Sequence, residues 1–377
     1  MTDINGSCDE RFAAVSEAFA ANFAQGLEVG ASVAVTLDGE FVVDLWAGDA
    51  DESGTPWERD TIVNVYSTTK TMAGLCMLML ADRGELDFSA PVASYWPEFA
   101  QNGKEGVLVS QVMAHSSGLS GWQEPVEASD LYDWEKLTGL LAAQAPWWDP
   151  GAEVGYHTFT QGFLQGEILR RITGETMDSF FRREVSGPLG ADFHLCLDSE
   201  HDHRVGRLVP PPALGEQLSE VIEPDSVSFK SLANPRVSAM EPRTREWRAA
   251  LIPAAGGFGN ARSVGRIHSA MACGGSVDGV RLLDPRGVEP AVEEQIRGVD
   301  LVLQAGARFG MGFGLGTDLF PLPDRSFHWG GWGGSLAIVD LERRLTISYV
   351  MNQMMAGAVV GDMRGESVAR AAMAAVS

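Results

Sequence analysis

The sequence predicts an α/β protein: one antiparallel sheet flanked by helices and built from both ends of the chain, with a mainly helical domain inserted between. Three observations predict it. Near the N-terminus, Ala31–Leu37 and Glu40–Trp46 flank Asp38-Gly39, and apolar, β-branched runs around Asp-Gly are a hairpin signal. Near the C-terminus, Ser335–Val339 and Leu345–Asn352 flank Asp340–Arg344 as a second strand–turn–strand unit. Between them the apolar residues recur mostly at helical rather than strand spacing. The division expected is residues 1–65 with 250–377 as the α/β part, and 66–249 as the helical part carrying the candidate site.

Each element follows from local pattern. Glu10–Gln25 places Phe12, Val15, Phe19, Ala20 and Phe23 at helical spacing, and Gly26 and Gly30 interrupt it before the first hairpin. Thr71–Arg83 is apolar on nearly every side, the mark of a buried helix, and Gly84 is placed to stop it. Val107–Ala114, Tyr132–Ala143, Thr160–Thr173 and Thr176–Val185 read as helices. Pro210–Pro212 and the polar stretch Gly215–Arg248 read as long loops or an insertion, whose length suggests a cover for a cleft. Asp362–Val376, rich in alanine, closes the chain as a helix.

At 377 residues and 45% hydrophobic content the chain can bury a large core. Its formal net charge of −23 disfavours nucleic acid and anionic membrane surfaces as partners. Met1–Gly6 has neither a basic n-region nor an apolar h-region, no apolar run reaches a membrane span, and Cys8, Cys76, Cys196 and Cys273 are widely spaced. A cytoplasmic protein with reduced thiols is expected, without zinc, other metal or cofactor. His201-Asp202-His203 has no third ligand at supporting spacing and reads as a solvated loop.

The chemistry concentrates at Ser67-Thr68-Thr69-Lys70. A serine and a lysine three apart on a helix share one face, so the amine can serve as base to the hydroxyl. The chain has only four lysines (70, 104, 136 and 230), and only Lys70 has a serine three residues before it. Arginine, preferred elsewhere, stays protonated and cannot be that base. The tetrapeptide alone is equally compatible with a capping serine and a snorkelling lysine. Tyr156 lies on a loop after Trp147-Trp148-Asp149-Pro150-Gly151, where it could project into a cleft or simply pack. His328-Trp329-Gly330-Gly331-Trp332-Gly333-Gly334-Ser335 opens the C-terminal strands, and its glycines would let a substrate approach backbone N–H groups. His115, after a helix C-terminus, reads as a structural histidine more than a base. There is no G-x-S-x-G nucleophile elbow.

Taken in order, these pieces resemble the serine β-lactamase and penicillin-binding-protein superfamily, and within it the family VIII carboxylesterases. Ser67-Thr68-Thr69-Lys70 matches S-x-x-K, and His115-Ser116-Ser117-Gly118-Leu119 is similar to the H-T-S-G-L segment. Tyr156-His157-Thr158 falls at the Y-x-N motif, and Trp329-Gly330-Gly331 at K-T-G. Gly257–Arg262 with Ala270–Leu283 reads like the family's late helical segment. The resemblance spans residue 10 to the C-terminus. It implies Ser67 as nucleophile, Lys70 as base and Tyr156 as proton relay, with the Ser67 and Trp332 backbone N–H groups as oxyanion hole. It also implies that Trp329, Gly330, Gly331 and Thr158 face substrate, with Trp122, Trp147, Trp148 and Trp332 as further candidates for an aromatic cleft. Two departures bear on substrate. Trp329 replaces the lysine that helps hold a β-lactam carboxylate, and Thr158 replaces the asparagine that binds an acylamide. Both favour a neutral ester of a short-to-medium acyl group. The alternatives are a β-lactamase or D-amino-acid peptidase, an acyltransferase on the same acyl-enzyme, and a non-enzymatic binding or sensor protein.

Overall fold

The computed structural model describes residues 2–210, 223, 225–357 and 361–377. Its strands, in chain order, are β1 (Ile4–Cys8), β2 (Gly30–Leu37), β3 (Glu40–Gly48), β4 (Val63–Asn64), β5 (Phe258–Gly259), β6 (Ser276–Val277), β7 (Val280–Arg281), β8 (Ile296–Val299), β9 (Gly306–Phe309), β10 (Gly314–Leu315), β11 (Ser326–Gly330), β12 (Leu336–Asp340) and β13 (Leu345–Met351). Nine of them form one antiparallel sheet in the order β1-β3-β2-β13-β12-β11-β10-β9-β8. The two chain ends meet at its centre, where β2 pairs with β13 from Leu37↔Leu345 to Ala31↔Met351.

The two predicted hairpins are present. Asp38 and Gly39 both take positive φ (52° and 89°), the turn that matches strand twist. The central strands are buried on both faces, and alternation assigns the faces. Val33, Val35, Ile347 and Tyr349 point into a core closed by Phe12, Val15, Phe19 and Val368, from the helices at either end of the chain. Small residues Ser32, Ala34, Thr36, Thr346 and Ser348 point the other way, and a helix Ala261–Ala272 packs closely there. A Cβ on its Gly265 would lie 3.6 Å from both Ala34 Cβ and Ser348 Oγ. Where the resemblance suggested a helical segment through Leu283, the helix ends at Ala272. Gly274 and Gly275 turn the chain into the β6–β7 hairpin instead.

The helical part lies between β4 and β5, which pair with each other and so close its base. Lys70–Asp82 is its central helix, buried from Lys70 through Leu80, and Gly84 follows with φ 71°. Thr160–Thr173 is helical as predicted. Val109–Met113 and Trp134–Ala143 are shorter than predicted, and Met177–Phe181 passes into a π-turn, Arg182–Ser186. Within the Gly215–Arg248 stretch, residues 215–222 and 224 lie outside the described residues, as do 211 and 212. The rest is not a plain loop: it holds helices Val227–Ala233 and Arg245–Ala249. Among the described residues no helix is long and apolar enough to cross a membrane.

Candidate active site

After β4 the chain makes a 3-10 turn, Tyr66–Thr69, and runs into the helix Lys70–Asp82. Tyr66 sits at φ 44°, a left-handed conformation that costs a bulky residue on the order of 1 kcal/mol or more. A strap at residues 254–257 holds it there. Asn64 Nδ2 donates to the Ala255 and Gly257 carbonyls (3.0 and 3.2 Å), and Val65 N donates to Gly257 O (2.9 Å). Thr69 Oγ1 donates to Tyr66 O (2.5 Å) and accepts from Gly257 N (2.9 Å). The turn thus presents Ser67 in one place.

Ser67 Oγ stands between two groups. Lys70 Nζ lies 3.3 Å away, and the Tyr156 hydroxyl donates to it at 2.6 Å. Lys70 Nζ also donates to Thr158 O (2.7 Å) and to Ala254 O (3.0 Å), in the same strap. Its partners are all uncharged. Burial alone therefore holds its amine well below the ordinary lysine range. A neutral amine has two N–H groups and one lone pair. With the N–H groups on two carbonyls, the lone pair is left facing Ser67 Oγ. Tyr156, whose pKa burial pushes up, keeps its proton and donates it to the same oxygen. The Ser67 proton is then free to point at Lys70. Ser67 is 7% exposed against 1% for Lys70 and Tyr156, so the serine is the member a substrate reaches.

Tyr156 is fixed from behind. Asp300 Oδ1 accepts from the backbone N–H of Tyr156 (3.1 Å), Val302 (2.8 Å) and Leu303 (2.8 Å). Leu301 N donates to Val154 O at 2.8 Å, so the tip of the β8–β9 hairpin is stapled to the tyrosine loop. On the other side His157 Nδ1 donates to Gly155 O (2.6 Å), which leaves its Nε2 to accept from Ser117 Oγ (2.7 Å). His157 N donates to His115 Nδ1 (3.0 Å), which puts the His115 proton on Nε2. Burial pushes His157 down to about 4 and His115 well below its usual value, so both are neutral neighbours of the lysine.

The turn between β11 and β12 supplies the opposite wall. A Cβ on Gly331 would stand 2.1 Å from Val65 O, so only glycine lets this wall approach the serine turn. Ser335 Oγ donates to Val65 O (2.9 Å) and meets Thr68 Oγ1 (2.9 Å), tying the wall to that turn. Among the described residues neither the Ser67 N–H nor the Trp332 N–H has an acceptor within the protein. That is the condition an oxyanion-hole donor must meet.

The remaining candidates separate. Trp329 is buried, with its ring stacked on His115 (5.4 Å, 26°) and near Tyr156 (5.7 Å) and Phe309 (5.6 Å). It backs the tyrosine rather than lining an open cleft. Trp122 is a correction: it lies in the helical core, packs on Phe163 and donates its indole N–H to Leu137 O (3.1 Å). Trp148 is half-buried with its ring over Gly155, whose Cβ would meet it at 2.4 Å. Thr158 reaches Lys70 through its carbonyl. Trp332 is half-buried and stands 5.1 Å from Tyr66, which also meets Trp247. Gly330 pairs with Leu336 inside the sheet. His201 packs on His194, and His203 Nδ1 bonds to Glu200 O, away from these groups. Asp300 and the Ala254 carbonyl were not anticipated. One is an acidic residue 144 positions from its tyrosine, and the other is a backbone atom that any residue would supply.

Residues 19–369 match the family model described as Beta-lactamase. The chain is 34% identical over 374 residues to the "Esterase/beta-lactamase LipL" of Mycobacterium tuberculosis, covering 96% of this chain and 85% of that protein. A solved family VIII carboxylesterase superposes with TM-score 0.92 at 39% identity, over 99% of this chain and all of the other. A penicillin-binding-protein homologue from Caulobacter crescentus superposes at 0.91, also at 39% identity and with the same coverage. The family model matched over residues 19–369 and the 34% identical relative, on a two-ended sheet with an inserted helical part, show that this chain belongs to the beta-lactamase family.

Proposed function

We propose that this chain is a serine carboxylesterase acting on short-to-medium acyl esters. One observation carries the reading: Ser67 Oγ lies between a buried lysine with no acidic partner and a tyrosine hydroxyl 2.6 Å away. Lys70, neutral through burial, takes the Ser67 proton as Oγ attacks the ester carbonyl. The carbonyl π pair moves onto oxygen, and the Ser67 and Trp332 N–H groups receive the oxyanion. As the tetrahedral intermediate collapses, Tyr156 gives its proton to the departing alkoxide and recovers one from Lys70. Water then adds to the acyl-enzyme. Its proton passes to Tyr156 and Lys70, and Ser67 leaves protonated.

The choice of ester over β-lactam rests on Trp329, a buried indole among neutral aromatic groups at the position where β-lactam-handling relatives carry a lysine. A neighbour described as a carboxylesterase supports the same choice, while the relative named both esterase and beta-lactamase supports the chemistry without separating the two substrates. The test is Ser67→Ala, with p-nitrophenyl butyrate and a chromogenic cephalosporin assayed side by side and folding followed by circular dichroism. A folded variant that has lost ester turnover supports the reading. Unchanged turnover defeats the mechanism, and cephalosporin turnover far above ester turnover in the unmutated protein defeats the substrate assignment.

A further inference from the structure

The wall that presents the Trp332 N–H is itself anchored to a buried ion cluster. Helix Met363–Ala374 begins with Asp362 as cap and Arg364 in its first turn. The Arg364 side chain is fully buried, as is its partner Glu28. Arg364 Nη1 donates to Glu28 Oε2 (2.9 Å) and to the carbonyls of Leu27 (3.0 Å) and Gln353 (2.9 Å). Its Nη2 donates to Asp362 Oδ2 (2.6 Å) and to Gly333 O (2.8 Å). This last bond is unusual in what lies beyond it.

A peptide unit is planar and trans, so its C=O and N–H point in opposite directions along one dipole. The Gly333 carbonyl held by Arg364 belongs to the same peptide as the Gly334 N–H. That N–H donates to Gly331 O at 3.1 Å. The Gly331 carbonyl in turn belongs to the same peptide as the Trp332 N–H. The order is therefore guanidinium, peptide 333–334, peptide 331–332, free N–H. Two dipoles stand in series with a permanent cation at their closed end. Hydrogen bonds in a chain polarise one another, more so away from water. The path requires glycines. Gly333 and Gly334 have φ 95° and 133°, and a Cβ on Gly334 would meet Asp362 Oδ2 at 2.1 Å and Arg364 Nη2 at 2.6 Å.

We propose that Arg364 is a positioning residue for ester hydrolysis: through peptides 333–334 and 331–332 it aims and polarises the Trp332 N–H toward the oxyanion. The inference rests on the esterase reading, because it needs an oxyanion at Ser67. It assigns a role to a side chain that does not contact substrate, at the far end of the chain from the nucleophile.

The experiment compares the unmutated protein with Arg364→Ala. It measures kcat and KM for p-nitrophenyl butyrate, and the affinity of an alkyl boronic acid, whose tetrahedral adduct on Ser67 places an oxyanion in the same hole. The expected result is a fall in kcat of about 10- to 100-fold with KM changed less than about 3-fold, boronate affinity falling in parallel, and partial rescue of kcat by added guanidinium. A folded Arg364→Ala protein with unchanged kcat, or with kcat lost but boronate affinity kept, overturns the proposal. If Arg364→Ala does not fold, Arg364→Lys is read the same way, since one ammonium cannot hold both acids and three carbonyls together. An unmutated protein with no ester turnover would defeat the esterase reading alone. The boronate arm then decides the role of Arg364 by whether its affinity falls.

Discussion

A neutral lysine whose two N–H groups are held by carbonyls has one place left for a proton, and at Lys70 that place faces Ser67 Oγ. Lys70→Arg keeps a cation with N–H donors on a similar stem but cannot give up its proton, so kcat is expected to fall by about 10²- to 10⁴-fold in a protein that still folds. Activity retained within a few-fold would remove Lys70 from the role of base. The pH profile carries a second expectation. Lowering the pH protonates the base, so kcat/KM has an acid limb at the Lys70 pKa. Because burial holds that pKa well below the ordinary 10.5, the limb is expected well below pH 10. A limb at ordinary lysine values would mean that the amine is solvated in the working enzyme. That Ser67, Lys70 and Tyr156 would come together was legible because spacing and order are what a sequence displays. The role of Trp122 was not: a tryptophan in a core and one in a cleft look alike in the sequence, and only the bond to Leu137 O separates them.

The elements around the site act as clamps, and the hairpin β8–β9 is the clearest. Its tip presents Asp300, with three backbone N–H groups on one carboxylate oxygen, one of them that of Tyr156. Asp300→Ala strips that acceptor from all three. The expected result is a fall in kcat of at least about 10-fold with KM little changed, and a loss of about 1–3 kcal/mol in unfolding free energy from the stranded N–H groups. A stability loss without any change in kcat would make Asp300 structural only. This hairpin was not predicted, nor were β1 and β10. β1 and β8 expose most of their residues (Ile4-Asn5-Gly6-Ser7-Cys8 and Ile296-Arg297-Gly298-Val299), so they lack the apolar, β-branched runs that made β2, β3, β12 and β13 readable. They lie at the two edges of the sheet, where pairing supplies what composition does not. The helices erred in the other direction. Gly274 and Gly275, both at positive φ, end one that the family resemblance had carried on to Leu283, because a motif-level likeness does not mark a terminus.

At the scale of the whole molecule, the two chain ends meet in the sheet and again in the cluster of Glu28, Tyr349, Asp362 and Arg364. It joins the segment before β2 to β13 and the last helix. Four polar residues scattered over more than 300 positions gave no sequence signal, because each is ordinary alone and their meaning lies in their being buried together. The cluster makes the fold sensitive to pH. Glu28 faces Arg364, Asp362 and the Tyr349 hydroxyl. Burial, opposed by Arg364, pushes its pKa from the ordinary 4.5 up to about 7. The folded protein therefore holds a proton on Glu28 at pH values where the unfolded chain has released it. Stability from this group is complete below pH 4.5, declines as pH rises toward about 7, and is flat beyond. Each tenfold difference in proton affinity between the folded and unfolded chain is worth about 1.4 kcal/mol, so the decline amounts to roughly 3 kcal/mol. Glu28→Gln replaces the protonated acid by a neutral group of the same shape and cannot titrate. Urea unfolding of both proteins from pH 4 to pH 8 isolates the effect, since every other titrating group cancels in the difference. The difference is expected to move in favour of the glutamine variant by up to that amount across the interval and then to level off. A constant difference would mean that Glu28 is ionised throughout and that Arg364 fully compensates its burial. The guanidinium would then be spent on the carboxylate, with less of its field left for the Gly333 carbonyl and the oxyanion wall beyond it.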